Sequence, residues 1–161
     1  MIRNVKLYDA ERIAKIYNYY IENTAVTFDE DPVTVEKIRQ KIEDIRAKAY
    51  PYLVCEEDGL LTGYAYINTW RPHSAYNITL ETSIYIDPQY VGKGLGAKLY
   101  EALIEKSGGM NIHSLIAVIS LPNDSSRKLH EKFGFRLVGN FKETGIKFNR
   151  LIDVEFWQKI L

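Results

Sequence analysis

The sequence lacks the features that mark secreted, membrane-spanning or nucleic-acid-binding proteins. It has one cysteine, Cys55, so no internal disulfide can form. No apolar run approaches the roughly 18 residues that a membrane span needs, and the first residues do not resemble a signal peptide. The 21 basic residues are balanced by 21 acidic ones, so no positive surplus favours nucleic acid. These absences predict a cytoplasmic protein that binds neither membranes nor nucleic acid.

The chain has enough apolar sequence to form one folded domain. Its 161 residues are 46% hydrophobic and 26% charged, which is ordinary for a globular protein. No repeat, linker or low-complexity stretch divides them, so a single domain over residues 1–161 is expected. No cluster of cysteine, histidine and carboxylate residues has the spacing of metal ligands, and no metal is predicted.

Hydrophobic periodicity and turn residues predict the element order β-α-α-β-β-β-α-β-α-β-β, a mixed α/β sheet with helices on its faces. Asp9 is expected to cap the first helix and Thr34 the second, and the stretch Pro122-Asn123-Asp124-Ser125-Ser126 supplies caps for the helix that carries Leu129 and Phe133. Gly63, inside a strand, indicates a bulge or a close approach of another backbone. Gly145 is expected to separate the last two strands.

The stretch from Ile78 to Leu99 organises the rest of the sequence. A strand runs to Ile86, a turn follows, and three glycines (Gly92, Gly94 and Gly96) open a helix. Glycines at a helix start allow a ligand to approach backbone N–H groups that have no partner within the helix, and phosphate suits such a site. The spacing matches neither the nucleotide triphosphate loop nor the dinucleotide loop. A flexible turn into a buried helix is the alternative.

Glu81 lies a few residues before this loop, on the same strand. Side chains alternate along a strand, so Glu81 shares one face with Thr79, Ser83 and Tyr85, while the other face carries Ile78, Leu80, Thr82, Ile84 and Ile86. A carboxylate on an otherwise apolar strand has two explanations. It is either a hydrogen-bonded or arginine-paired structural acid, or it accepts a proton in a cleft.

Together these stretches resemble the GCN5-related N-acetyltransferases (GNAT). The acetyl-coenzyme A loop of that family has the form Gln/Arg-x-x-Gly-x-Gly/Ala, and here it reads Gln89-Tyr90-Val91-Gly92-Lys93-Gly94. Within the superfamily the chain is similar to the phosphinothricin and methionine sulfoximine acetyltransferases. The segments that carry this similarity are Trp70-Arg71, Ala75-Tyr76, Thr79–Ile86, Gly92–Ala97, Leu121–Ser126, Leu129–Phe135 and Gly145–Asp153. The resemblance implies the GNAT acyl-CoA N-acyltransferase fold, with a central, mostly antiparallel, twisted sheet and helices on both faces.

The resemblance implies acetyl-CoA as the cofactor. Its pyrophosphate would bind the amides of the glycine loop, and its pantetheine arm would run along the central strand. A bulge there would leave N–H groups to polarise the thioester carbonyl. The implied cofactor-binding residues are Ile84, Tyr85, Ile86, Gln89, Gly92, Lys93, Gly94, Leu95, Gly96, Ala97, Asn123, Ser125 and Lys132.

The resemblance also implies the catalytic residues. Glu81 matches the base that removes a proton from the amine, directly or through water. His130 stands where many relatives have a tyrosine that acts as proton donor, and the alternative is a structural histidine. The implied substrate-binding residues are Arg71, Pro72, His73, Tyr76, Glu81, Thr82 and Ser83. Three further residues, Lys147, Arg150 and Asp153, either shape the cleft from a dimer partner or order the C-terminal hairpin.

The expected reaction is direct transfer of an acetyl group from acetyl-CoA to the α-amine of a small amino-acid-like molecule. Phosphinothricin and methionine sulfoximine are the closest candidates, and a homodimer is expected. One alternative is the same chemistry on another amine, such as a protein N-terminus or a polyamine. The other is a sensor that binds acyl-CoA without turnover, which the presence of Glu81 disfavours.

Overall fold

The computed structural model describes residues 1–161 and contains seven strands and four α-helices. Short 3-10 turns occupy Leu7–Asp9, Ser74–Tyr76 and Pro88–Tyr90. The elements are β1 (Ile2–Asn4), α1 (Ala10–Asn23), α2 (Val35–Ala47), β2 (Tyr52–Glu57), β3 (Leu60–Thr69), β4 (Thr79–Ile86), α3 (Leu95–Gly108), β5 (Ser114–Ser120), α4 (Asp124–Lys132), β6 (Arg136–Lys147) and β7 (Arg150–Ile160). The predicted element order is confirmed. None of the helices is long and apolar enough to cross a bilayer.

The seven strands form one sheet in the order β1-β2-β3-β4-β5-β7-β6. Strands β4 and β5 pair in parallel, whereas β1–β2, β2–β3, β5–β7 and β6–β7 pair antiparallel. The mixed, mostly antiparallel sheet predicted from the sequence is therefore confirmed. Strand β6 lies at one end of this order, so one of its edges has no neighbouring strand.

The chain packs as two compact units, and each unit is built from three separate stretches of sequence. The first unit comprises Met1–Asn18, Val33–Asn68 and Thr82–Asn111, and the second comprises Tyr19–Pro32, Thr69–Glu81 and Ile112–Leu161. Each has its own fully buried side chains, such as Leu53 and Leu99 in the first and Leu80 and Leu115 in the second. Each such burial stabilises the fold by about 1.5–3 kcal/mol relative to exposure.

Helix α2 shows how local sequence determines an element. The Thr34 hydroxyl accepts a hydrogen bond from the Lys37 amide at 3.2 Å, so the predicted cap is confirmed. Ile38, Ile42 and Ile45 follow at helical spacing and are buried. A side-chain cap of this kind is worth about 1 kcal/mol.

Asp9 does not cap α1, contrary to the sequence prediction. It lies in the 3-10 turn before the helix, where its carboxylate accepts from the Lys6 amide at 2.7 Å. The Arg3 guanidinium donates to both Asp9 oxygens at 2.8 Å each and also reaches Glu56. These charge-assisted hydrogen bonds raise the pKa of Arg3. The buried carboxylate of Asp9 is therefore bound by the guanidinium of Arg3 on β1 and not by the first amides of α1.

Gly145 is not the turn between the last two strands, which is a second correction. The turn is Phe148–Asn149, where φ is +50° and +56°, the left-handed pair of a tight two-residue hairpin. Gly145 lies inside β6, and a Cβ there would be 2.4 Å from the Phe28 ring. The glycine is therefore required by the close approach of Phe28 and not by a turn.

Candidate active site

The glycine loop, residues 92–96, leads into the N-terminus of α3. Gly92 and Gly94 have φ of +83° and +79°, a conformation that glycine adopts without strain. A Cβ at either position would have no atom within 4 Å, so both face open space. Gly94 is the N-cap residue and offers no side-chain acceptor, so the first amides of α3 have no partner from within the helix. Such amides at the positive end of a helix dipole suit a phosphate group.

Gly96 differs from the other two glycines. A Cβ there would lie 3.5 Å from Ile86 Cγ1, an ordinary packing contact, so Gly96 permits α3 to lie close to β4. The side chain of Leu95 is buried, which leaves only its backbone for a ligand. Around the loop Gln89 is exposed, and the Lys93 ammonium lies 4.4 Å above the Tyr90 ring. The sequence analysis assigned one role to all three glycines, whereas in the structure Gly92 and Gly94 set the conformation of the loop and Gly96 permits helix packing.

The end of β4, Ile84 to Ile86, is held in place by close packing. A Cβ at Gly63 would be 2.4 Å from Ile86 Cδ1 and 3.1 Å from the Tyr85 carbonyl, so the close approach predicted for Gly63 is confirmed. The Tyr85 ring meets Tyr17 edge-on at 5.1 Å and stacks on Tyr64 at 5.4 Å. These contacts fix the backbone that was predicted to carry the cofactor arm. The expected bulge in β4 stays a prediction.

From Thr79 to Ser83 strand β4 alternates as the sequence indicated, whereas Ile84 and Ile86, predicted on the face of Leu80, are partly exposed like Tyr85. Leu80 and Thr82 are buried, whereas Glu81 and Ser83 are partly exposed. The Thr82 hydroxyl hydrogen-bonds the hydroxyl of buried Tyr100 at 2.8 Å, and burial raises the pKa of that tyrosine. Thr82 therefore joins β4 to α3 on the strand face opposite Glu81, as the alternation predicted, and its contact with the substrate stays a prediction.

Glu81 lies in the short parallel ladder between β4 and β5, where it is the register partner of Ile116. The main chain positions it, because the flanking β4 residues Leu80 and Thr82 are both buried. The backbone position of Glu81 is thus defined by the ladder, and the residue is partly exposed. The proton-accepting role of Glu81 stays a prediction.

The loop before β4 clusters aromatic and basic side chains. The Arg71 guanidinium lies 5.1 Å from the Trp70 ring, and Tyr76 meets the same ring edge-on at 5.1 Å. Tyr76 closes a short turn through its amide, which donates to the His73 carbonyl at 2.9 Å. Trp70 thus joins Arg71 and Tyr76, two predicted substrate residues, although it was not itself predicted. Its position directly before Arg71 was the available signal.

Helix α4 begins at the predicted cap. The Asn123 side-chain oxygen accepts from the Ser126 amide and from the Ser125 hydroxyl, each at 3.2 Å. Its amide NH₂ group makes no hydrogen bond within the structure and is available to a ligand. At the other end of α4, exposed Lys132 lies with its ammonium 5.6 Å from the Phe133 ring.

His130 is buried in the same helix. Its Nδ1 donates to the Ser126 carbonyl at 2.7 Å, and its ring meets Phe135 edge-on at 5.1 Å. Burial lowers the pKa of His130 and so favours the neutral ring. A neutral imidazole that donates through Nδ1 presents a lone pair, not a proton, at Nε2. Of the two sequence interpretations this geometry favours the structural one, and proton donation stays a prediction.

Two of the three C-terminal residues order the hairpin. The Lys147 ammonium is buried and donates to the Thr27 carbonyl at 2.8 Å. Asp153 accepts from the Lys142 ammonium and the Glu143 amide, both at 2.8 Å. Arg150 is exposed.

Each compact unit contains part of the predicted set of site residues. The glycine loop lies in the first unit, and Arg71 to Glu81 and α4 lie in the second.

Comparisons of the sequence with known proteins agree on one family. The family profile described as acetyltransferase (GNAT) domain matches residues 2–156. The phosphinothricin N-acetyltransferase of Streptomyces viridochromogenes is 35% identical over 158 residues, which covers 98% of this chain and 86% of that protein. The L-methionine sulfoximine/L-methionine sulfone acetyltransferase of Pseudomonas aeruginosa is 37% identical over 159 residues, with coverage of 98% and 92%.

Solved structures give the same result. An acetyltransferase of Salmonella typhimurium, solved with its cofactor acetyl-CoA, matches with a TM-score of 0.98 at 34% identity, covering 100% of this chain and 93% of that one. A ribosomal-protein-alanine N-acetyltransferase of Brucella melitensis matches with a TM-score of 0.97 at 35% identity, covering 100% and 99%. Both matches extend over the whole chain, so they concern the entire fold and not one shared motif.

Proposed function

The chain belongs to the GNAT acetyltransferases and is an N-acetyltransferase that uses acetyl-CoA; we propose that its acceptor is the α-amine of a small amino-acid-like molecule of the phosphinothricin or methionine sulfoximine type. The likeness to enzymes named for these two compounds supports this acceptor class. Because the family profile covers residues 2–156, we also propose that the chain functions as one catalytic domain.

The observation that carries the cofactor assignment is the left-handed pair Gly92 and Gly94, whose missing side chains leave open space at the start of α3. The amides from Gly92 to Ala97 would hold the pyrophosphate, and the β4 backbone from Ile84 to Ile86 would hold the pantetheine arm. When bound, acetyl-CoA supplies an activated acetyl thioester. In the second unit Asn123, with its available amide group, and exposed Lys132 are the remaining proposed contacts.

Glu81 is the proposed general base. An α-amine is protonated at neutral pH, and its ammonium form has no lone pair for attack, so a proton must leave first. Glu81 is a partly exposed carboxylate on β4 and can accept that proton directly or through water. The chain holds one thiol, Cys55, which is buried in β2. No exposed cysteine is therefore available to carry the acetyl group, which supports direct transfer to the amine.

Arg71 is the proposed anchor for the substrate carboxylate. It is exposed, and a guanidinium can bind both carboxylate oxygens at once. Stacking on Trp70 reduces the number of positions that the Arg71 side chain samples, which prepares it for binding. Tyr76, His73, Pro72 and Ser83 complete the proposed substrate set.

A thiol-release assay with acetyl-CoA tests the proposal. The acceptors are phosphinothricin, methionine sulfoximine, the ordinary L-amino acids, a peptide with N-terminal alanine, and spermidine. We expect turnover with one of the first two or with a small L-amino acid, and none when the α-amine of the same compound is blocked. Thiol release with none of these small α-amines would refute the acceptor class.

The N-terminal alanine peptide in this assay tests a second candidate function, the acetylation of a protein N-terminus. The match to a ribosomal-protein-alanine N-acetyltransferase makes a protein N-terminus a specific alternative acceptor. Faster turnover of the N-terminal alanine peptide than of every free amino acid would favour that function. Spermidine turnover would favour a polyamine acceptor.

We also propose that two copies of the chain associate through β6, an end strand of the sheet with one edge free of other strands. Exposed edges of this kind pair readily with another copy, and a two-fold axis would join two β6 strands. Large apolar side chains are exposed along β6, in the turn that follows it and at the start of β7. They are Leu137, Val138, Phe141, Ile146, Phe148 and Leu151, each between 47% and 60% exposed.

A further inference from the structure

We infer that Arg12, on α1, is a positioning residue for acetyl-CoA binding, acting through an ion pair with Asp87. The inference rests on the proposed function only in taking acetyl-CoA as the ligand of the glycine loop. All residues involved lie in the first compact unit. Neither Arg12 nor Asp87 was predicted as a site residue.

Asp87 fixes the chain at the point where β4 passes into the loop. Its backbone amide donates to the Thr62 carbonyl of β3 at 2.8 Å. One carboxylate oxygen accepts from the Gln89 amide at 2.9 Å, and the Asp87 carbonyl accepts from the Tyr90 amide at 2.8 Å. Asp87 thus anchors β4 to β3 and caps the short turn Pro88–Tyr90 that comes before the glycines.

Arg12 donates a hydrogen bond to the other carboxylate oxygen of Asp87. Its Nη2 donates to Asp87 Oδ2, and its Nε donates to the Leu61 carbonyl at 2.9 Å. The two side chains are 23% and 9% exposed, so the pair is largely shielded from water. One guanidinium therefore joins α1, β3 and the turn, and its loss would leave a buried carboxylate without its cationic partner.

The connection to the ligand is short. Only Pro88 to Val91 separate Asp87 from Gly92, and three of these four belong to the turn that Asp87 caps. A hydrogen bond from an amide to a phosphate oxygen weakens steeply when its length or angle changes. If Asp87 loses its ion pair with Arg12, the turn Pro88–Tyr90 is held less firmly. The amides of the glycine loop are then no longer held in one position relative to the phosphate. Arg12 can in this way control phosphate binding without touching the phosphate.

The test measures acetyl-CoA binding by calorimetry for Arg12→Met, Asp87→Asn and the double variant. We expect each single change to weaken acetyl-CoA binding by about tenfold or more, and the double variant to bind about as weakly as the worse single variant, because both remove one interaction. The KM for the amine should change by less than about twofold, because Arg71, Tyr76 and Glu81 lie in the second unit, which is not altered. Lys15→Met is the matched control on α1, an exposed position that should bind like the wild type.

Arg12→Lys separates positioning from folding. Lysine keeps the charge but cannot donate to both Asp87 and Leu61 in the geometry of the guanidinium, so we expect intermediate acetyl-CoA affinity with wild-type melting behaviour. Wild-type affinity in all Arg12 and Asp87 variants would overturn the inference, as would additive losses in the double variant. If the wild-type protein itself fails to bind acetyl-CoA, the proposed function falls together with the inference.

Discussion

At the scale of single residues, the carboxylate of Glu81 is proposed to act on the proton of the amine and not on the cofactor. Glu81→Gln keeps size and polarity but removes the basic oxygen. We expect kcat to fall by about 10²–10⁴-fold, the range for loss of a general base, while the Kd for acetyl-CoA changes by less than about twofold. Steady-state kinetics and calorimetry measure the two quantities.

Glu131→Gln provides the matched control for Glu81→Gln, since Glu131 is an exposed glutamate on α4. It should leave both kcat and acetyl-CoA binding unchanged. Equal losses of rate and acetyl-CoA affinity in Glu81→Gln would instead point to a structural carboxylate.

The buried ring of His130 makes a prediction about stability and pH. Burial lowers its pKa below the ordinary value of 6.5, so below that pH the unfolded chain binds the proton more readily than the folded chain. The folded protein should lose stability as pH falls from about 6.5 towards the lowered pKa. His130→Asn keeps a donor for the Ser126 carbonyl but does not titrate.

Urea unfolding between about pH 7.5 and about pH 5 compares the His130→Asn variant with the wild type. The free energy of unfolding of the wild type should fall more steeply over this interval than that of the variant. Parallel curves would show that His130 does not titrate on unfolding. Acetylation rates measured for the same pair at pH 7.5 also test the predicted catalytic role, because a structural histidine replaced in this way should keep most of the activity.

At the scale of elements, two substitutions where the glycine loop meets α3 separate the effect of backbone strain on acetyl-CoA binding from the effect of charge. At Gly94 any side chain meets a left-handed backbone, which costs about 1–2 kcal/mol. Gly94→Ala should show this cost alone. Gly94→Asp adds a negative charge beside the proposed phosphate site and should bind acetyl-CoA at least about tenfold more weakly than Gly94→Ala. Calorimetry on both variants gives the difference, and equal affinities would argue against a phosphate at this position.

The elements also show what sequence reasoning could reach. Features set by neighbours in sequence were predicted correctly, among them the Thr34 and Asn123 caps and the element order. Asp9 and Gly145 were interpreted wrongly, because the partners that determine their roles, Arg3 and Phe28, come from other elements. The pair Arg12–Asp87 spans 75 residues, and no local pattern in the sequence indicates it.

At the scale of the whole molecule, the end strand β6 predicts the oligomeric state. Ile146 and Leu151 are register partners across β6 and β7 and are 60% and 59% exposed. Replacing both with lysine should place two charges in the proposed interface and convert a dimer into a monomer. Light scattering after size-exclusion chromatography measures the mass.

Leu60→Lys is the control for the dimer variant, because Leu60 is an exposed leucine at the start of β3. This change should leave the dimer intact. A wild-type protein that elutes as a monomer at about 100 μM would remove the dimer from the proposal, since a stable homodimer binds well below that concentration.

The alternation of the two compact units along the chain also has an evolutionary consequence. Each unit needs three separate stretches of sequence, so no single crossover between two genes can exchange one unit and leave the other whole. A change in acceptor preference therefore needs no exchange of a whole unit, and point changes or short insertions in one stretch, for instance the segment Thr69–Glu81, are the simplest route to it.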